Sequence, residues 1–379
     1  MKKRKTKLLM ILFLLSIQVF VVQNNAGIMS NEAVIQSHYH RLPRVDFNPL
    51  DAEIYIDSDD DFLSYVFPGN GSASNPYRIE NYTIDTYKLF GILVVNTTKH
   101  VIVRNNTVSA RYTALKAEFN TPNTISFHNN TLYNSTIGLC VKFTANIIAR
   151  NNTCYNNDYG MTFNSVLTLG IENNIIYEND KGLNLENNNS FSNIQYNNLW
   201  DNNESIIIIN SKDVMIGNNT VRNNDLGIIL QTMNSNIPTV NCSVIYNIFE
   251  NNTRYGISLP AFYEHRWTEN NKIHHNTFAN NNAKGKKQAL DDGINNIWDD
   301  SEKTGNYWSD WWGIGAYNIP GLAKSKDRYP LEDPLHEVIT HIPGIFKGRI
   351  LIFVFFVPLL LGGYIFVKNR EKVLKIKKE

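Results

Sequence analysis

Three cysteines in 379 residues are too few for a disulfide framework. Cys140 and Cys154 stand in strand-like runs, where a thiol behaves as a small hydrophobe, so buried free thiols are the expectation; a Cys140–Cys154 bridge would still leave Cys242 over. A basic excess is missing too. The formal net charge is +1, but five basic residues precede Leu8, and eight lie from Lys347 onward with only Glu371 and Glu379 against them. Setting these aside leaves 23 basic and 33 acidic residues over positions 8–346, about −10, which argues against nucleic-acid binding, since phosphate backbones need Lys and Arg clusters. No Cys or Met cluster offers a soft-metal site. His38 and His40 stand near the N-terminus, and His274 and His275, neighbours on a strand, are expected to face opposite ways. No cofactor and no metal are expected.

What the chain has in abundance is asparagine at even intervals. Starting from Asn105-Asn106-Thr107-Val108, the second Asn returns as Asn106, Asn130, Asn152, Asn174, Asn198, Asn219, Asn247 and Asn276. An apolar or thiol residue follows at a fixed offset: Val108, Leu132, Cys154, Ile176, Trp200, Val221, Phe249 and Phe278. A second signature begins at Gly138, Gly160, Gly182, Gly227 and Gly256, where pairs such as Leu183 and Leu185 lie two apart on one face of a strand. Between them runs a third short stretch such as Val214-Met215-Ile216. Three strands in about 22–24 residues make one coil of a parallel β-helix, an all-β solenoid whose repeats bury their apolar faces only by stacking. Coils stack at about 4.8 Å, so the Asn column should form a ladder of amides, a structural device without a catalytic part.

The two ends read differently. Residues 1–26 carry a basic start and an apolar run, a signal peptide or signal anchor, followed by a linker over 27–53. Residues 336–349 form a juxtamembrane linker, 350–367 an apolar stretch long enough to cross a bilayer, and 368–379 a basic tail. That charge asymmetry places the tail in the cytoplasm and the solenoid outside, anchored to the cell membrane by one C-terminal helix. The Asn-x-Ser/Thr triplets at Asn70 and Asn81 fit a surface location.

Other polar groups have plain readings beside sharper ones. Asp57 to Asp61 looks at a glance like a calcium loop but lacks the ligand spacing, so a solvated turn is expected. Asp158, Asp180 and Asp225 each precede a strand-leading Gly by two residues. They read as turn formers, although Asp158 and Asp180 would lie in adjacent coils like a carboxylate pair. Two insertions interrupt the repeat, at 231–241 and at Pro260 to Trp267. Phe262, Tyr263, Glu264, His265, Arg266 and Trp267 mix aromatic rings with polar heads and form the candidate ligand-binding site.

Asn296-Ile297-Trp298-Asp299-Asp300, then Gly305-Asn306-Tyr307-Trp308-Ser309-Asp310, then Asp327-Arg328-Tyr329-Pro330-Leu331 resemble the closing motif of the NosD-like family of right-handed parallel β-helix proteins. With Asn75-Pro76-Tyr77 the resemblance spans 54–335, implying an N-terminal cap over 54–90 and a Trp-rich cap over 283–335 in which Trp298, Trp308, Trp311 and Trp312 seal the stack. The family belongs to a broad class of carbohydrate-binding proteins and sugar hydrolases, and its namesakes assist copper-site maturation of nitrous oxide reductase from the periplasm. Related proteins often carry an Asp/Gly-rich segment where this chain has Trp311 to Tyr317, which puts a calcium role there in doubt. The resulting expectation is a membrane-anchored extracellular β-helix that binds surface glycans or envelope proteins without catalysis. The alternatives are a polysaccharide lyase or hydrolase and a copper-maturation accessory protein.

Overall fold

The computed structural model describes residues 47–334, apart from 235, 262–266 and 283–286. The chain divides into two units, Met1–Pro49 and Leu50–Glu379, and the second holds the whole solenoid. Alternation builds it strand by strand: in Val101–Arg104 the two valines are buried while Ile102 and Arg104 turn outward. Each strand pairs in parallel with its counterpart one coil later, as Ala52–Ile56 does with Phe90–Val95, and Phe90–Val95 with Thr113–Glu118. The fold is thus an all-β parallel solenoid, as the repeat predicts. Two 14-residue strands, Ile137–Arg150 and Tyr159–Glu172, run round a corner and merge two faces into one seventeen-stranded sheet. The third face is a ten-stranded sheet from Thr83–Thr86 to Tyr307–Trp308. One continuous apolar core fills the interior from Ile54 to Ile319.

Corners explain the asparagines. At the corner entering the ten-stranded sheet, Asn81, Asn105, Asn129, Asn151, Asn173, Tyr196, Asn218, Tyr246 and His275 hold φ between 54° and 65°, the left-handed region that costs Asn little. The next residue points inward. There Asn106, Asn130, Asn152, Asn174, Asn197, Asn219, Asn247, Asn276 and Asn306 form a single file. From Asn130 onward each Oδ1 accepts both the backbone N–H and the Nδ2–H of the preceding coil's Asn at 2.9–3.1 Å.

This corrects the sequence reading at one rung. Asn197, not Asn198, continues the file, and Leu199, not Trp200, fills the core. The frame slips because Tyr196 replaces Asn at the left-handed corner, so the Asn-Asn pair of that coil starts one position late. Asn198 stands instead at the start of the following strand, its Oδ1 buried without a partner.

A second file runs at the next corner: Asn157, Asn179, Asn202, Asn224, Asn252 and Asn281 bond in the same manner. A shorter third row passes from the Cys242 N–H through Asn271 to Asn296. All donate toward the C-terminal end, where the last coil has no successor to accept. The closing motif supplies acceptors instead. Asn306 ends on the Asp327 carboxylate, which also takes N–H groups from Trp308 and Tyr329. Asn281 ends on Gln288 Oε1, whose amide in turn donates to Asp310, and Asn296 ends on Asp291. Burial raises the Asp327 carboxyl above its usual range, and the N–H groups of Trp308, Asn306 and Tyr329 pull it down.

The caps follow. Phe62 stacks on Tyr77 at 4.5 Å at the N-terminal end. The acidic turn is not the solvated loop its composition suggests: Asp59 takes hydrogen bonds from Thr97 Oγ1, Thr98 N and Thr98 Oγ1 at 2.6–2.8 Å, and Asp57 bonds Asn96. At the other end Phe278, Trp308 and Tyr317 stack at 4.2 and 4.1 Å, with Trp298 buried beside them. Trp311 packs on this core. Trp312, 93% exposed, does not seal it; it stands before Gly313, whose φ is 78°. Among the described residues no helix is long and apolar enough to cross a membrane. The apolar segments expected within 1–26 and at 350–367 lie outside the described residues.

Candidate functional site

Inward positions being fixed by packing, recognition falls to the outward ones. In the ten-stranded sheet the strands Thr131–Tyr133, Thr153–Tyr155, Ile175–Tyr177 and Asn198–Trp200 lie in register, their middle residues buried. Their last residues therefore line up outside. Tyr133, Tyr155, Tyr177 and Trp200 stack with ring centroids 5.5, 5.1 and 4.9 Å apart and interplanar angles of 11°, 7° and 2°. The Arg222 guanidinium lies over the Trp200 ring at 5.7 Å and closes the file. The ring faces are spent on one another. The edges, with three phenol hydroxyls that have no hydrogen-bond partner among the described residues, face solvent. Burial, then Tyr155 and Glu178, raise the Tyr177 phenol above its ordinary value.

Across the corner lies a polar strip. The exposed amides of Asn105 and Asn129 bond along the axis, Asn129 Nδ2 to Asn105 Oδ1 at 3.3 Å. Beyond them one outward column reads Glu80, Arg104, His128, Arg150, Glu172 in successive coils. Arg104 Nε meets Glu80 at 2.5 Å. Arg150 Nε donates to His128 Nδ1 at 2.9 Å, so His128 Nε2 carries the proton and faces Ser126 Oγ at 2.9 Å. Burial, then the charges of Arg150 and Arg104, push His128 down to about 4, which leaves it neutral between two guanidiniums.

The residues singled out from sequence are scattered by comparison. Phe262 to Arg266 lie outside the described residues, and Trp267 is half-buried where the chain re-enters the coil before Thr268. It is not part of the aromatic file. Asp158, Asp180 and Asp225 follow the second-file asparagines Asn157, Asn179 and Asn224. Asp180 accepts from Asn203, and Asp225 bonds Thr253 and pairs with Arg254, which suits a turn. The aromatic file was legible as a recurring Tyr at 133, 155 and 177, but the one-residue slip at Asn198 assigns Trp200 to the interior and hides its fourth member.

Metal-binding groups converge poorly. His274 and His275 do not face apart: His275 occupies the left-handed corner at φ 58°, which brings the two Nδ1 atoms to 2.6 Å, and Asp300 is 4.0 Å from His275 Nε2. Burial lowers both imidazoles below their ordinary value. Cys140, Cys154 and Cys242 are free and buried, with burial raising all three thiols, Cys242 to about 12. Among the described residues no group of three or more His, Cys, Asp or Glu is placed to hold a metal.

Comparison with known proteins places the chain. The A-module of the Azotobacter vinelandii mannuronan C-5 epimerase AlgE4 is similar at 14% identity and a TM-score of 0.36, covering 58% of this chain and 70% of that one. The alginate lyase of Paenibacillus sp. str. FPU-7 is similar at 10% identity and a TM-score of 0.41, covering 67% and 97%. The AlgE6 A-module of Azotobacter vinelandii is similar at 15% identity and a TM-score of 0.36, covering 58% and 72%. Likenesses this loose carry no argument about chemistry. No curated protein matches the chain. The family described as periplasmic copper-binding protein (NosD) matches residues 77–313, more than half of the chain, and the chain therefore belongs to the NosD family.

Proposed function

We propose that this NosD-family solenoid faces the outside of the cell, held by the apolar segment 350–367, and binds envelope glycans without altering them. The observation that carries this reading is the file Tyr133, Tyr155, Tyr177 and Trp200, with its unpartnered hydroxyls. A ring edge and a phenol hydroxyl at each coil offer apolar contact and a hydrogen bond at one repeat distance, which suits a polymer of hydroxylated rings. The side chains of the expected insertion site, Trp267 among them, are a second surface to test.

The test is a polysaccharide panel applied to the purified full chain, scored both for retention and for shorter sugars released. Binding without release, weakened at least tenfold by Tyr155→Ala or Trp200→Ala while the melting temperature holds within a few degrees, supports the proposal. Chain shortening that survives those changes but disappears with Asp158→Asn or Asp180→Asn would instead make the protein a lyase or hydrolase.

A further inference from the structure

The outward column beside the aromatic file has an order of charge that a neutral ligand does not require. Glu80 and Glu172 stand at its ends, with Arg104, His128 and Arg150 between them in consecutive coils. Arg104 is neutralised by Glu80. Arg150 is not neutralised by Glu172, although the two are paired in register; its Nε is committed to His128 and its two terminal nitrogens have no acceptor among the described residues. A guanidinium that gives its Nε–H to a neutral imidazole is oriented without being discharged. Its free edge keeps the planar, two-donor geometry that matches a carboxylate. A second cation, Arg222, with no carboxylate partner among the described residues, closes the aromatic file.

We propose that Arg150, oriented by His128, binds the carboxylate of an acidic, uronate-bearing glycan whose rings run along the axis beside Tyr133, Tyr155 and Tyr177. This rests on the glycan reading above and narrows it to an acidic class. Asn129, Asn151 and Asn173 occupy the corner between the basic column and Tyr133, Tyr155 and Tyr177 in successive coils, where ring hydroxyls of the same glycan would fall. His128 supports this as a positioning residue: it holds Nε of Arg150 and carries no charge that would compete for the ligand.

The experiment uses polygalacturonate and its fully methyl-esterified form, which share a backbone and differ in the methyl ester that removes each charge, each titrated against the full chain at two salt concentrations. At least tenfold tighter binding of the acid form is expected, falling as salt rises. Arg150→Ala should abolish that preference and Arg150→Lys restore part of it, with binding of the ester unchanged in both. His128→Gln should weaken the acid form by several-fold at unchanged ester affinity, which a purely structural role would not do. Equal binding of acid and ester by the wild-type chain overturns the acidic assignment and leaves the glycan reading standing. Failure of both polymers, and of every neutral polysaccharide in the panel, overturns the two together.

Discussion

At the residue scale the asparagines divide their labour, and the division makes sharp expectations. An inward rung such as Asn197 donates twice to Asn219, accepts twice from Asn174 and also bonds backbone carbonyls, so its loss strands buried donors on Asn174. Asn197→Ala should cost about 3 kcal/mol by chemical denaturation, since each orphaned buried donor costs about 1–3 kcal/mol. The adjacent Asn198→Ala should cost little, because its Oδ1 has no partner to lose. Equal costs would restore the frame read from sequence. Tyr196 occupies the left-handed corner at φ 56° and is 54% exposed. Tyr196→Asn should therefore stabilise the fold, by about 1 kcal/mol at most, read as a rise in melting temperature.

His128 gives a pH dependence whose sign follows from its surroundings. Its folded-state value near 4 lies below its ordinary 6.5, because burial and the facing cations Arg150 and Arg104 disfavour the protonated ring. Between those values the unfolded chain binds more protons, so stability from this group is complete above pH 6.5 and is lost as pH falls toward 4. His128→Gln should flatten the melting-temperature profile over that window. A profile with the same slope in both proteins would show that other groups set it.

At the scale of elements, three-residue strands do the work because each is locked by two corners and two neighbours. Gly160 shows how tightly they are packed: a Cβ there would lie 2.6 Å from the carbonyl oxygen of Gly182 in the next coil. Gly160→Ala should destabilise by about 1–3 kcal/mol, as overpacking does. The parallel strands and the inward apolar columns were legible in the sequence because repetition averages out local ambiguity. The second amide file at Asn157 to Asn281 was not, since an Asn that precedes a turn Asp has the composition of any surface turn until stacking shows that its amide points inward. Nor was the meeting of His274 and His275 foreseeable, because a left-handed corner breaks the strand alternation on which the opposite-face expectation rests. The closing motif was recognisable as residues. Its purpose, to accept the last N–H groups of stacked rows at Asp327, Gln288 and Asp291, emerges only when the rows are seen to point one way.

At the scale of the whole molecule, a solenoid presents equivalent outward residues at a constant interval, and the natural partner of such a surface is another repeating polymer. The aromatic file spans three coil steps, roughly 14 Å. Recognition spread along that file should strengthen with ligand length and then saturate, whereas a single pocket would be filled by one sugar. The most direct measurement is the affinity of the full-length protein for a size-fractionated series of glycan oligomers. We expect affinity to climb with each added ring until the oligomer covers the distance from Tyr133 to Trp200, then to level off, with Tyr155→Ala lowering the plateau. Equal affinity for one ring and for long chains, or no binding at any length, would contradict it.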